Sequence, residues 1–430
     1  MEKKNRICAY KGDPVVPGVN KKKNGINFAV EVPGDTEASL VLYRKGAAEP
    51  ETEFPFTEEY RTGRMCAMLV TGLRPERYEY NFRIDGKIVQ DPFACVIRGR
   101  EKFGAPLSKD EHEVRCAFLS EKEYDWEGDT APEIPYSEMI LYKIHVRGYT
   151  RQAKLALRKR GTFAGLTEMI PYWKELGINA VELMPAYEFQ ECVQADHAVN
   201  LAVRKKSDDR INYWGYIRGF YFAPKESYCA TKEPDREFRD MIRALHKAGI
   251  ECIMEMYFPK GTPSLQMIRS LWFWKLYYHV DGFHLLGDGV QQDVIERDPI
   301  LYGTKKLFSN VSGEADAENM LAEYNAGFML DMRRFLKSDE GMISGAEFHV
   351  RRNTGNFGTV NYMATQDGFT LYDTVSYNYR HNEANGEDNR DGSEFNYSWN
   401  CGVEGSTRKT AVRRMREQQM RNAFLMLLLS

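Results

Sequence analysis

Few residue types in this chain stand at spacings that could do chemistry. Eight cysteines are present (Cys8, Cys66, Cys95, Cys116, Cys192, Cys229, Cys252 and Cys401), and no two share C-x-x-C spacing. A structural zinc or a redox pair therefore has no support. The run from His381 to Gly392, HNEANGEDNRDG, is dense in oxygen donors, but such a run reads first as a polar loop. His284 lies alone in an apolar stretch, where a histidine is ordinarily a hydrogen-bonded core residue. Carboxylates are the remaining resource. Asp288 stands just beyond that stretch, and Glu314, Asp316 and Glu318 form an acidic cluster further on. The 25 tyrosines and 23 phenylalanines suit sheet cores, and some rings could lie flat against a pyranose face.

The elements that must position these residues change character along the chain. Up to about residue 120 the sequence is built of strand-like pieces. Ile26 to Val30 alternates, Ala38 to Tyr43 is rich in strand formers, and Tyr78 to Ile84 alternates into the turn Asp85-Gly86. An antiparallel sandwich is expected over 1–125. A proline-bearing acidic linker follows over 126–138. Beyond it, strands alternate with helices. Met139 to Val146, Ile178 to Met184, Ile250 to Tyr257 and Val280 to Leu285 read as strands; Asp235 to Ala248 and Leu265 to Tyr278 read as helices. Phe238, Met241, Ile242 and Leu245 share one face of the first helix, and Gly249 ends it. Alternating units of this kind predict an α/β fold with a parallel sheet, a barrel or a doubly wound sheet. No G-x-G-x-x-G follows the first strand, which weakens a dinucleotide-binding reading.

Charge and hydropathy narrow the partners. With 59 basic and 62 acidic residues the net charge is -3, so nothing points to nucleic acid or an acidic membrane. The first ten residues lack the apolar stretch of a signal peptide, and the longest apolar run, Ala423 to Leu429, is too short to cross a bilayer. A cytoplasmic protein with reduced thiols is expected, with no cofactor and no metal.

Several motifs, in order, resemble the isoamylase and glycogen-debranching group of the α-amylase superfamily. They are Gly25 to Val30, Asp91-Pro92-Phe93-Ala94, Leu141 to Thr150 (LYKIHVRGYT), Gly161-Thr162-Phe163, Val181 to Pro185 (VELMP) and Asn212 to Tyr216 (NYWGY). The run Asp367 to Leu371, Val375 to Asn378, His381 to Gly392 and Ser398 to Gly402 is the most specific part. The resemblance covers essentially the whole chain. It implies an immunoglobulin-like, carbohydrate-binding-type β-sandwich, then a (β/α)₈ barrel over 139–430 with its active site at the carboxyl ends of the strands. In that family a last βα unit and a carboxyl-terminal β-sandwich follow. The barrel is therefore expected to be incomplete, in a piece of a longer protein or in a chain whose gap something else covers.

Retaining glycoside hydrolysis uses two carboxyl groups about 5–5.5 Å apart, one as nucleophile and one as acid and base. The family pattern D-G-F-R-F-D runs here as Asp281 to Leu286, so Leu286 stands at the nucleophile position and His284 at the arginine position. The acid's strand is best matched by Lys306 to Asn310, which puts Asn310 where the acid belongs. An amide has no acidic proton to give. The third carboxylate, a transition-state stabiliser, is kept as Asp367, with Gln366 in place of a histidine. Glu255 to Lys260 covers D-V-x-x-N-H, and the N-H pair is replaced by Pro259-Lys260. Tyr216 matches a sugar-stacking tyrosine, and Trp214, His284 and Gln366 join it as expected substrate contacts.

Three functions compete. The first is a non-catalytic relative that binds glycogen, starch or another α-glucan, or pairs with an active debranching enzyme. The second is an α-1,6-glucan hydrolase working with displaced carboxylates, Asp288 or the Glu314 cluster. The third is a structural or regulatory protein that binds no sugar. Loss of several catalytic positions together favours the first and third, and the retained Asp367, Tyr216 and Trp214 tilt the reading to the first.

Overall fold

The computed structural model describes residues 6–105, 114–120, 122–192, 211–311 and 316–430. The chain forms two compact units, Met1–Thr304 and Lys305–Ser430.

Strands are numbered in chain order. One antiparallel sheet holds β1 (Cys8–Lys11), β2 (Gly18–Lys22), β3 (Gly25–Glu31), β6 (Arg61–Thr62) and β7 (Met65–Thr71), in the order β1-β7-β3-β2 with β6 on β7. The other holds β4 (Ala38–Arg44), β5 (Pro50–Pro55), β8 (Tyr78–Ile84), β9 (Lys87–Val89), β10 (Val96–Arg98) and β11 (Arg115–Ala117), in the order β10-β11-β8-β4-β5 with β9 on β8. The hairpin read at Asp85-Gly86 is present, both residues having positive φ (51° and 73°), as a tight two-residue turn requires. One shared core fills the space between the sheets. In it the Phe28 ring meets Tyr80 edge-on at 5.2 Å, and Leu40, Leu42, Met68 and Phe82 are buried.

The parallel part of the first unit begins with β12 (Leu141–Ile144), β13 (Ala180–Leu183), β16 (Glu251–Tyr257) and β17 (Gly282–Leu286), paired in that order. An antiparallel pair, β14 (Tyr187–Phe189) and β15 (Gly219–Pro224), lies between β13 and β16 in the sequence. The helix Pro234–Lys247 starts on a proline with Asp235 and Glu237 in its first turn, and buries Phe238, Met241, Ile242 and Leu245 as expected. Helix Ser264–Tyr278 ends on His279 in the left-handed region (φ 55°). Both faces of this sheet section are covered, and so its strands read as apolar runs.

Two polar networks tie the first unit together. Arg100 reaches Glu188 (2.9 Å) and Glu191 (2.6 Å), Lys225 reaches the same two carboxylates (3.0 and 2.8 Å), and Arg98 reaches Glu226 (3.2 Å). These pairs carry the end of the sandwich onto β14 and the residues after β15. The segment read as a linker is fastened down. Trp126 stacks on His279 at 3.8 Å, Asp129 accepts from His246 Nδ1 and His279 Nδ1 (both 2.9 Å), and Ile134 N donates to Glu251 (2.7 Å).

The second unit carries β18 (Lys305–Phe308), β19 (Leu321–Asn325) and β20 (Gly358–Asn361), again parallel and paired in order. Helices Ala326–Leu336, Ile343–Arg351 and Thr410–Leu428 accompany them, around a small core of Phe328, Met332, Ala346, Met363 and Ala423.

Candidate functional site

Four parallel strands of the first unit each place a charged or titratable side chain on one face. Parallel register sets Lys143 of β12 directly beside Glu182 of β13, and Glu255 of β16 directly beside His284 of β17. Glu182 pairs with Ile253, so Glu255, two residues further along, shares its face. The side chains converge. His284 Nδ1 donates to Glu182 Oε1 (2.8 Å) and lies 3.6 Å from Glu255 Oε1. The Lys143 ammonium pairs with Glu255 and lies 3.7 Å from Glu182 Oε1. Tyr216 closes the group from outside, its hydroxyl donating to Glu255 Oε2 (2.8 Å).

Burial here is deep, with Glu182 and Glu255 at 0% exposure and His284 at 3%. Two bare carboxylates at such depth would be very costly, so compensation decides the state of the group. Burial raises the Glu182 carboxyl, but the His284 and Lys143 charges more than reverse this and hold it below the ordinary range. Burial likewise lowers His284, and Glu182 and Glu255 overturn that and hold it above its usual value. The result is one mutually compensating tetrad of two carboxyl groups, a lysine and a histidine. Glu182, Glu255 and His284 also offer ligand atoms all within 4.8 Å of one another, which is metal-like spacing. Lys143 already stands there as the compensating cation, so a divalent ion would have to displace it.

The strand end above the tetrad carries Leu286, half-buried, its carbonyl accepting from Phe258 N (2.8 Å). Gly287 follows at φ 95°, and a Cβ there would come within 2.5 Å of Phe258 O, so the chain turns away from the strand at once. Asp288, the proposed displaced carboxylate, therefore sits exposed on a turn instead of continuing the strand face. His284, expected to meet substrate, is buried and held by carboxylates.

The remaining expected positions of the first unit are in one loop. Trp214 is 39% exposed, while Tyr213 and Tyr216 are half-buried. Gly215 (φ 85°) is required there, because a Cβ would meet the Phe189 ring at 2.5 Å. His145 anchors the loop, its ring stacked on Tyr213 at 4.3 Å and its Nε2 donating to Tyr213 O (2.9 Å). Burial lowers its pKa to about 4, so Nδ1 is free to accept from Gly148 N (3.0 Å). In the second unit, Asn310 is exposed just after β18, and Asp367 is exposed in a turn beyond β20 beside the half-buried Gln366. Asp316 caps a short 3₁₀ turn, Ala317–Asn319, that contains Glu318, whereas Glu314 lies outside the described residues. The loop His381–Gly392 is organised by its own side chains, with Asn385 Nδ2 donating to Asp391 Oδ2 (2.9 Å) and Asn389 Nδ2 to Arg380 O (3.0 Å).

Sequence reading missed Lys143, Glu182 and Glu255 as site residues. The available signal was a charged residue at the middle of each apolar strand, at positions whose period-two alternation points to one face.

No family model matches the chain. It is 28% identical to isoamylase 1, chloroplastic, of Arabidopsis thaliana, in a match covering 100% of this chain and 69% of that protein. A glycogen operon protein GlgX homolog of Haemophilus influenzae is 29% identical, over 92% of this chain and 72% of its own length. Over essentially its whole length the chain is similar to isoamylase-type proteins of the α-amylase family. A solved pullulanase of Paenibacillus barengoltzii, complexed with maltotetraose, superposes with a TM-score of 0.66 at 18% identity, covering 97% of this chain and 72% of that one. The catalytic module of a pneumococcal glycogen-degrading virulence factor, SpuA, gives a TM-score of 0.66 at 17% identity, over 97% and 68%. The fold is accordingly an incomplete (β/α)₈-type barrel preceded by an N-terminal β-domain. The chain spans roughly two thirds of the length of these curated relatives. Among the described residues, no helix is long and apolar enough to cross a membrane.

Proposed function

We propose that this protein takes part in α-glucan metabolism by binding glucan without cleaving it, acting alone or paired with an active debranching enzyme, in the cytoplasm. The observation that carries this reading is the mutually compensating tetrad of Lys143, Glu182, Glu255 and His284 beneath Leu286. A hydrolase needs a carboxylate free to attack and another with a proton to lend. Glu182 of β13 and Glu255 of β16, the strand paired with β17, are buried and paired with Lys143 and His284. In the same reading Leu286 and Asn310 occupy the nucleophile and acid positions, and Asp367 with Gln366 occupies that of the stabiliser. Trp214 and Tyr216 offer rings to sugar. The relatives' names, isoamylase and glycogen operon protein, support an α-glucan as the ligand class.

One purified sample tests it. Affinity for glycogen, measured by retardation in a glycogen-containing native gel, should be detectable, and release of reducing ends from the same glycogen should stay at background. Robust release of reducing ends would overturn the non-catalytic reading, and absence of retardation would overturn glucan binding.

A further inference from the structure

The loop after β12 is strongly basic. Between positions 147 and 160 stand Arg147, Arg151, Lys154, Arg158, Lys159 and Arg160, with no acidic residue among them. Two have local partners: Lys159 pairs with Glu168, and Arg160 Nε donates to Leu155 O (3.0 Å). Arg147 and Arg151 have no carboxylate within ion-pair distance among the described residues. Their stems run side by side over Gly161, where a Cβ would lie 3.1 Å from Arg147 Cδ and 3.2 Å from Arg151 Cδ. Like charges this close repel unless an anion joins them.

Their surroundings are aromatic. The Arg147 guanidinium lies over the Phe103 ring at 5.3 Å, and Phe103 meets Tyr213 edge-on at 5.7 Å. A Cβ on Gly148 would come within 2.9 Å of the Tyr213 hydroxyl, so that hydroxyl lies against the backbone next to Arg147. Tyr213 in turn touches Trp214, at 5.2 Å between ring centroids, and Trp214 is the exposed ring of the loop. Two guanidinium groups with no carboxylate partner among the described residues, a phenolic hydroxyl and an exposed indole thus occupy one patch. Guanidinium forks match phosphate geometry, and an indole offers a face to a pyranose.

We infer that this patch recognises a phosphate monoester carried on an α-glucan, with Arg147 and Arg151 on the phosphate and Trp214 on the neighbouring sugar ring. The inference rests on the glucan-binding reading above. It adds a preference for phosphorylated chains. An acidic protein segment would use the arginines but not the indole, so the glucan is the better fit.

The test compares phosphorylated amylopectin with the same polymer after phosphatase treatment, by affinity electrophoresis of the full chain. The readout is the ratio of the two affinities. Two charge-assisted hydrogen bonds should make that ratio about tenfold or more in favour of the phosphorylated polymer. Rising salt should shrink it, because Arg151 is exposed to solvent. Arg147→Gln/Arg151→Gln should bring the ratio near unity, and Arg151→Gln alone, at an exposed position, should lower it where the double variant does not fold. A wild-type ratio of one with neutral glucan still bound would overturn this inference and leave glucan binding standing. Binding of neither polymer would overturn both. A preference that survives Arg151→Gln and the double change would also overturn it, as would arginine-dependent binding of polyaspartate without a phosphate preference.

Discussion

Removing the Lys143 ammonium would leave Glu182 and Glu255 facing a single cation, His284, at zero exposure. Breaking a buried pair from one side costs about 3–5 kcal/mol, because the surviving charge has nowhere to go. Lys143→Met and Glu255→Gln should each destabilise the protein by about that amount, whereas Lys143→Met/Glu255→Gln should cost far less than the sum, since charge balance returns. Urea denaturation of the four proteins of this cycle measures the coupling, and additive losses would mean the tetrad is not one electrostatic unit. The same balance bears on catalysis. Loss of a nucleophile lowers hydrolase rates by about 10⁴–10⁶. Leu286→Asp should nonetheless leave reducing-end release at background, because it adds a third carboxylate above two already compensated and supplies no acid. Leu286→Asp/Asn310→Glu should give at most weak activity. Strong recovery from the single change would show that position 286 alone silences the site.

At the scale of elements, the fastened linker carries a pH prediction. Burial lowers His246, but hydrogen bonds and charge from Asp281 and Asp129 outweigh it and raise its pKa. A histidine with a raised folded pKa contributes stability that is complete below its unfolded value of about 6.5 and fades as pH climbs through the folded value. The stability difference between the wild type and His246→Gln should therefore be largest in mild acid and shrink toward alkaline pH. A difference that grows with pH would contradict the clasp. Elements are also where the sequence was most legible. The hairpin at Asp85-Gly86 and the helix Pro234–Lys247 follow from turn chemistry, a first-turn proline and one apolar face, all local. The clasp was not legible, because a proline-bearing acidic stretch looks the same whether loose or bound. Its partners His246, His279 and Asp281 lie over a hundred residues away in sequence. The tetrad escaped for a related reason: a lone charge in LYKI or AVEL reads as one side of an alternating strand, and only the parallel register shows that four such sides face one another. Leu286 and Asn310 were assigned their expected positions by motif alone.

For the molecule as a whole, the thiols give a simple readout. All eight cysteines are free. Burial, the leading cause at each, pushes up the thiols of Cys66, Cys95, Cys116, Cys192, Cys229, Cys252 and Cys401, with Cys95 and Cys229 reaching about 12. Only Cys8 should react quickly with a thiol reagent at neutral pH, and all eight should react after denaturation; rapid native labelling of Cys252 would mean the parallel core opens readily. The clasp on the linker also has a consequence for how the chain is made. The strands of the sandwich find their partners within their own stretch of sequence, so that domain can close while the rest is still being synthesised. Asp129 has to wait for His246, 117 residues later, and then for His279, 150 residues later. Until His279 is made, Trp126 lacks its stacking partner, and the linker is held only by contacts to residues 240–251. A nascent polypeptide halted before residue 279 should be cut by protease within 125–137, and one released past residue 281 should resist at the same bonds.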